Sequence, residues 1–340
     1  MKQNEITVIV PAYNVQFKIV RCLNSLLNQI KCSAKIIVIN DGSTDKTLEI
    51  LKEFTSKYKQ IKVISQGNKG VSFARNKGLQ ICDTKYVTFV DADDYVDNEY
   101  LYNLYSGFLK KPKIDLSVSG VKCVDFNGRK TNLTALPNKI INSSQMLEDI
   151  FKPTGPAGYL YNKLWKMDII NAHHICFDTD ITMAEDLLFT VRYLQYTDYI
   201  SYTSAVDYNY VRNKSGLSSG IEITQHNARF REINENYLEA LKKIIFLIPN
   251  NLIAAKKAAY VKYAISNINF ARQLRTKSLK LTTEDSELAH TLTQNGRKYK
   301  GIVLESKVIS NKAKMIFVIS LCCPSIMALI DKVHIYFINR

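Results

Sequence analysis

Short apolar runs alternate with amphipathic stretches along the first hundred residues. Ile6–Val10 is rich in β-branched residues and predicts a buried strand. From Phe17 to Ile30 the apolar positions Ile19, Leu23, Leu26, Leu27 and Ile30 share one helical face. Lys35–Ile39 predicts a second strand, ended by the turn cluster Asn40-Asp41-Gly42-Ser43. A helix over Thr44–Tyr58, a strand over Ile61–Ile64, a helix over Val71–Ile81 and a strand over Tyr86–Val90 continue the series. Strands separated by single helices imply parallel pairing with right-handed crossovers, and ligands then bind beyond the carboxyl ends of the strands. Asp41-Gly42-Ser43 and Asp91-Ala92-Asp93-Asp94 both follow strands directly, which places them in one crevice.

The pattern changes from Asp115 onward. Leu116–Lys122 and the stretch around Asn127-Gly128 predict strands joined by a tight hairpin, and Ser143–Phe151 predicts a short helix. Ala184–Gln195 reads as a helix, Tyr199–Val211 as strand, and the chain after about Ile221 as helical.

The 340 residues are enough for a large core, and 46% apolar with 23% charged residues excludes a disordered, collagenous or wholly coiled-coil chain. Seven scattered cysteines without a C-x-x-C pair argue against a zinc site or a disulfide framework and fit reduced thiols. The first apolar run is broken at Pro11, so it predicts a strand and no signal peptide. The net charge of +15 asks for a negative partner. Nucleic acid is the rival explanation of that charge, but no reader module or aromatic stacking signature accompanies it, so no nucleic-acid partner is expected.

Two acidic clusters carry candidate chemistry. Asp91, Asp93 and Asp94 crowd three carboxylates at a strand end, an arrangement suited to a hard divalent cation; the alternative is a solvated loop with Asp97 capping the next helix. Asn40–Asp45 reads either as a turn with a helix cap or as a ligand-facing edge in which Asp41 accepts a hydrogen bond. Between them, Gly70 opens a helix whose N-terminus favours anions, with Arg75 and Asn76 one turn further on.

Together these segments resemble a known family. Val10-Pro11-Ala12-Tyr13-Asn14, Asn40-Asp41-Gly42-Ser43-Thr44-Asp45, Gly67-Asn68-Lys69-Gly70 with Ala74-Arg75-Asn76-Lys77-Gly78, and Asp91-Ala92-Asp93-Asp94 are similar, in order and spacing, to glycosyltransferase family 2. Met183–Phe189 matches the family's Glu-Asp motif at a helix start, which extends the resemblance over roughly residues 5–215. The resemblance implies an α/β GT-A fold, a mixed and mostly parallel sheet flanked by helices, and inverting transfer from a nucleotide-diphosphate sugar. It implies that Pro11, Tyr13 and Asp41 line the base pocket, with Asp41 accepting from uracil, so that the donor is a UDP-sugar. It further implies that Lys69 and Arg75 flank the nucleotide, that Asp91 touches the ribose or sits near the metal, and that Asp93 ligates Mn²⁺ or Mg²⁺. Asp186 is implied as the general base, with Glu185 orienting it or the acceptor; on its own, Asp186 also reads as a charge that complements a helix start. Tyr208–Ser218 resembles a family segment in which Arg212 closes over the diphosphate. Trp165 reads either as a stacking surface for an acceptor sugar or as core.

From Ala240 to Thr283 there is no acidic residue, while Lys242, Lys243, Lys256, Lys257, Lys262, Arg272, Arg275, Lys277 and Lys280 alternate with apolar positions such as Leu241, Ile244, Val261 and Ile268. That pattern predicts basic amphipathic helices facing an anionic bilayer. Met315–Ile330 is too short for a span and carries Pro324, so interfacial insertion is expected; a helical tail packed on its own domain or in a homo-oligomer interface is the alternative.

The reading that emerges is a GT-A domain over residues 1–220, with a nucleotide-sugar half over 1–114 and an acceptor half over 115–220, followed by a basic helical region over 221–340. The resemblance and the basic C-terminal pattern together imply transfer of a hexose to a glycan or polyprenyl-diphosphate-linked acceptor in surface polysaccharide assembly, expected in the cytoplasm at the inner face of the cell membrane. The rivals are a polyprenyl-phosphate sugar transferase, a non-catalytic nucleotide-sugar-binding subunit and a nucleotidyltransferase.

Overall fold

The computed structural model describes residues 5–111, 113–125, 129–212, 228–277 and 282–338. The chain divides into two compact units, one made of Met1–Ile150 with Thr154–Ser219 and the other of Phe151–Pro153 with Gly220–Arg340.

The first unit starts as the apolar pattern predicts. β1 (Ile6–Ala12), α1 (Ile19–Leu27), β2 (Ala34–Asp41), α2 (Thr47–Lys57), β3 (Ile61–Gln66), α3 (Val71–Gln80) and β4 (Tyr86–Phe89) alternate. Strands order as β3-β2-β1-β4, all parallel, with Ala12 beside Asn40 and Asp41 beside Gln66. Ile6, Val8, Ile9 and Val10 are all fully buried, which is why β1 reads as an unbroken apolar run: helices cover both faces of its sheet. The chain reverses direction across β1 when it passes from β3 to β4, so the carboxyl ends of β1 and β4 flank a switch point.

β5 (Tyr95–Val96), α4 (Tyr100–Leu109), β6 (Ile114–Val118), β7 (Val121–Val124), β8 (Lys130–Thr134), β9 (Lys139–Asn142), α5 (Ser143–Asp149), β10 (Lys163–Lys166), α6 (Met167–Ala172), α7 (Glu185–Leu194), β11 (Tyr199–Tyr202) and β12 (Tyr208–Val211) complete the unit. The large sheet runs β3-β2-β1-β4-β10-β6-β11-β9, with β10 antiparallel to both neighbours; a smaller sheet runs β5-β12-β7-β8. This is the GT-A architecture that the motifs imply. The hairpin between β7 and β8 is present, and its turn at Asn127-Gly128 lies outside the described residues. Leu116–Lys122 is not one strand, however: it breaks at Ser119-Gly120 and feeds two sheets. Asp97 does not cap α4 with its side chain, because its carboxylate accepts from Lys122 Nζ and from Asn209 Nδ2 at 2.8 Å.

The second unit contains α8 (Ala228–Leu247), α9 (Ile253–Lys277), α10 (Thr283–Arg297), α11 (Lys300–Glu305), α12 (Asn311–Cys322) and α13 (Pro324–Ile338). Pro324 splits the apolar segment Met315–Ile330 between two helices, as a residue without an N–H does. Leu241, Ile244, Ile248, Val261 and Ile268 are buried in the protein, with Val261 and Ile268 packing against Val303, Phe317 and Leu321. Those side chains are therefore core, and they do not form the exposed bilayer-facing stripe that their spacing suggests. Among the described residues no helix is long and apolar enough to cross a membrane.

Candidate active site

The rim beyond β1, β2 and β4 is assembled by two interlocking loops. Asn14, held in the left-handed region at φ 50°, accepts the Thr44 N–H on its Oδ1 at 2.8 Å, while its own N–H donates to Ser43 Oγ at 3.1 Å. Asp45 accepts the N–H groups of Thr47 and Gln16 at 2.9 and 3.1 Å. Tyr13 stands exposed on this rim and Pro11 half-buried below it.

Asp41 is 4% exposed, and its carboxylate is occupied by the protein. Oδ1 accepts from Lys69 N–H at 2.9 Å and Gln66 Nε2 at 2.8 Å, and Oδ2 accepts from Gly70 N–H at 2.8 Å. The main task of Asp41 is thus to hold the Gly67–Gly70 loop, leaving about one lone-pair direction for a ligand. Gly42 makes the approach possible: at φ 71° a Cβ there would lie 2.6 Å from Asn68 N. Lys69 is exposed at the start of α3.

Arg75 links two parts of the rim. It is 7% exposed, donating from Nη1 to Glu185 Oε1 at 2.7 Å and from Nη2 to Asp91 Oδ1 at 3.2 Å. Burial would lower its pKa, but Asp91 and Glu185 more than offset this and keep the guanidinium charged. One cation thereby joins the aspartate turn after β4 to the first turn of α7. Asn76, one residue on, exchanges hydrogen bonds with the backbone of Phe177 at 2.8 and 2.9 Å, fixing the segment that leads to α7.

The three aspartates differ in environment. Asp94 is fully enclosed, accepting from Tyr208 Oη at 2.6 Å and from Val211 N–H at 2.7 Å, so it ties the turn to β12. Asp93 is partly exposed, with Lys18 Nζ 3.6 Å from its carboxylate. Asp91 faces Arg75, and burial raises its pKa despite that partner. Among the described residues no three His, Cys, Asp or Glu side chains converge as a closed metal site. Two hard carboxylates, Asp91 and Asp93, fit an ion that completes its shell with phosphate oxygens and water, as Mg²⁺ and Mn²⁺ do.

α7 opens in an unusual way. Ala184 occupies the left-handed region at φ 63°, a conformation that costs an L-residue about 1 kcal/mol, and the next residue, Glu185, meets Arg75. Burial and the adjacent Glu185 push the Asp186 carboxyl up to about 7, against the pull of Arg75, the Leu187 N–H and Lys163. A half-buried carboxylate with such a pKa can take a proton near neutrality.

Trp165 is no ligand platform. It is 0% exposed on β10, edge-on to Phe189 and Tyr193 at 5.3 and 4.8 Å, because a central strand turns its side chain into the layer between sheet and helices. Arg212 follows β12, exposed to solvent, with its N–H donating to Val124 O. The roles of Tyr208 and Asn76 are set by partners 114 and 101 residues away, which no local signal marks, whereas Lys163 acts within its own segment, on Ala157, Tyr159 and Asn162.

The sheet order with this rim is that of a glycosyltransferase of the GT-A fold. The model of "Glycosyl transferase family 2" matches residues 7–168. The poly(ribitol-phosphate) β-N-acetylglucosaminyltransferase TarP of Staphylococcus aureus is 30% identical over 251 residues, 71% of this chain and 74% of that protein. A poly(ribitol-phosphate) β-glucosyltransferase of Bacillus spizizenii is 28% identical over 287 residues, which are 83% of this chain and 43% of that protein, so the chain spans less than half of that relative. In fold, residues 1–349 of S. aureus TarS in complex with UDP-GlcNAc match with a TM-score of 0.67 at 20% identity, covering 93% of this chain and 87% of the other. The chain belongs to glycosyltransferase family 2.

Proposed function

We propose that this protein transfers a hexose, with inversion, from a UDP-sugar to a hydroxyl of a glycan or lipid-linked acceptor in surface polysaccharide assembly. The observation that carries the reading is the Arg75 bridge, 3.2 Å to Asp91 and 2.7 Å to Glu185, which sets the donor-side carboxylates beside the candidate base. Asp186 takes the acceptor hydroxyl's proton as its oxygen attacks the anomeric carbon from the face opposite the diphosphate. Glu185, held by Arg75, orients the pair. Tyr13, Pro11 and the loop anchored on Asp41 receive the base, and Lys69 and Arg212 face the diphosphate from solvent. Asp93, with Asp91 beside it, would hold Mn²⁺ or Mg²⁺, which when bound offsets the negative charge on the departing UDP. The naming of TarP and the Bacillus enzyme as sugar transferases supports sugar transfer as the activity.

The test is UDP release from a panel of UDP-sugars with cell-derived glycan and lipid acceptors, with and without EDTA. Acceptor-dependent release that EDTA abolishes and Mn²⁺ restores is the expected result. Release untouched by chelator contradicts the metal role of Asp93. Donor binding without turnover on every acceptor points to a non-catalytic subunit.

A further inference from the structure

With Trp165 in the core, the rim beside Asp186 offers another aromatic ring. Tyr159 lies between α5 and β10 and is 42% exposed. Its ring stacks on Tyr161 at 5.1 Å and 14°, and Tyr161 stacks on Tyr208 at 4.1 Å and 9°. Tyr208 in turn donates to Asp94 at the foot of the aspartate turn. Tyr161 and Tyr208 are buried, so Tyr159 is the open end of a column that begins inside the donor site.

The backbone under this ring is held rigidly. Lys163, fully enclosed, donates from Nζ to the carbonyl oxygens of Tyr159 and Ala157, the latter at 3.1 Å, and to Asn162 Oδ1 at 2.9 Å. Gly158 lies so close to α7 that a Cβ would sit 2.5 Å from Leu187 Cα, and Thr190 Oγ1 donates to Gly158 O at 3.0 Å. The loop is thus clamped to the helix that presents Asp186. The Tyr159 hydroxyl lies within electrostatic reach of both Asp186 and Arg212.

We propose that Tyr159 is the platform on which the ring of a sugar acceptor lies, which makes the acceptor a pyranose-bearing glycan rather than a bare polyprenyl phosphate. The inference rests on the transferase reading above and narrows its substrate class. A pre-ordered aromatic face attracts the electropositive C–H face of a pyranose and costs little entropy on binding. A phosphate has no such face to offer.

The experiment uses the full chain with UDP and Mn²⁺, methyl β-D-glucopyranoside as probe and sn-glycerol 3-phosphate as counter-probe. Saturation-transfer NMR should show contact to the ring C–H protons of the glucoside and none to glycerol phosphate. Tyr159→Phe should keep that signal, and Tyr159→Ala should weaken glucoside binding about tenfold with UDP affinity unchanged. Equal glucoside signals from the wild type and Tyr159→Ala, no glucoside signal from the wild type, or preference for glycerol phosphate would each overturn the proposal. UDP affinity is measured in the same samples by calorimetry; its absence refutes the donor reading independently of what the glucoside does.

Discussion

Replacing Asp186 by Asn should raise stability while removing activity. In the unfolded chain this carboxyl ionises near its ordinary value of 3.8, whereas in the folded protein burial and Glu185 delay ionisation to about 7. A raised carboxyl pKa means that the folded state holds a proton the unfolded state has released. Stability is therefore lost as pH rises between those two values and changes no further above them. At about 1.4 kcal/mol per unit the full shift would be worth about 4 kcal/mol, and solvent screening at the half-buried rim brings the expected gain for the Asp186→Asn variant to about 2 kcal/mol. Trp165 is the only tryptophan in the chain and is buried in the first unit, so its fluorescence during urea unfolding follows that unit. The variant should match the wild type near pH 4 and exceed it at pH 8, while turnover at pH 8 falls by a factor of about 100 to 10,000. In the wild type, turnover should decline as pH drops through about 7. A stability difference that does not vary with pH refutes the crowding of this carboxylate, and full turnover in the variant refutes its role as base.

Three further substitutions probe the rest of the rim. Arg75→Met leaves Asp91 and Glu185 facing each other without their shared cation; it should cost about 3 kcal/mol by the same fluorescence assay and shift the acid limb of any remaining activity to higher pH, and a neutral effect on both argues that the bridge is dispensable. Asp41→Asn turns an amide N–H₂ toward a backbone N–H of the Lys69-Gly70 loop, so stability should drop by about 1–3 kcal/mol and calorimetric UDP affinity should fall with it. Gly42→Ala forces a Cβ to within 2.6 Å of Asn68 N and should likewise weaken UDP binding; wild-type affinity in this variant would show that the loop is not part of the donor site.

The sequence alone determined the parallel βα half, because each of its elements is written in local periodicity and each of its turns in local chemistry. Ile6–Val10 reads as a strand covered on both faces, and Gly42-Ser43 as the turn that follows one, although β2 itself runs on through Asn40 and Asp41. The motif order was enough to mark Asp91, Asp93, Glu185 and Asp186. What each side chain does was decided by pairings across the fold. Arg75 meets Glu185 110 residues away, and Tyr208 meets Asp94 114 residues away. Those contacts arise from the sheet order β4-β10-β6 and from β12 lying beside β5, which no local pattern encodes. The same order buries Trp165 on a central strand and leaves Tyr159 at the surface, although both are aromatic residues in one polar-flanked segment. In the second unit, helical spacing identified the apolar stripes, and only the packing of α9 against α11 and α12 decided that Val261 and Ile268 are covered by protein, since an amphipathic helix buries its stripe in whichever apolar surface it meets first.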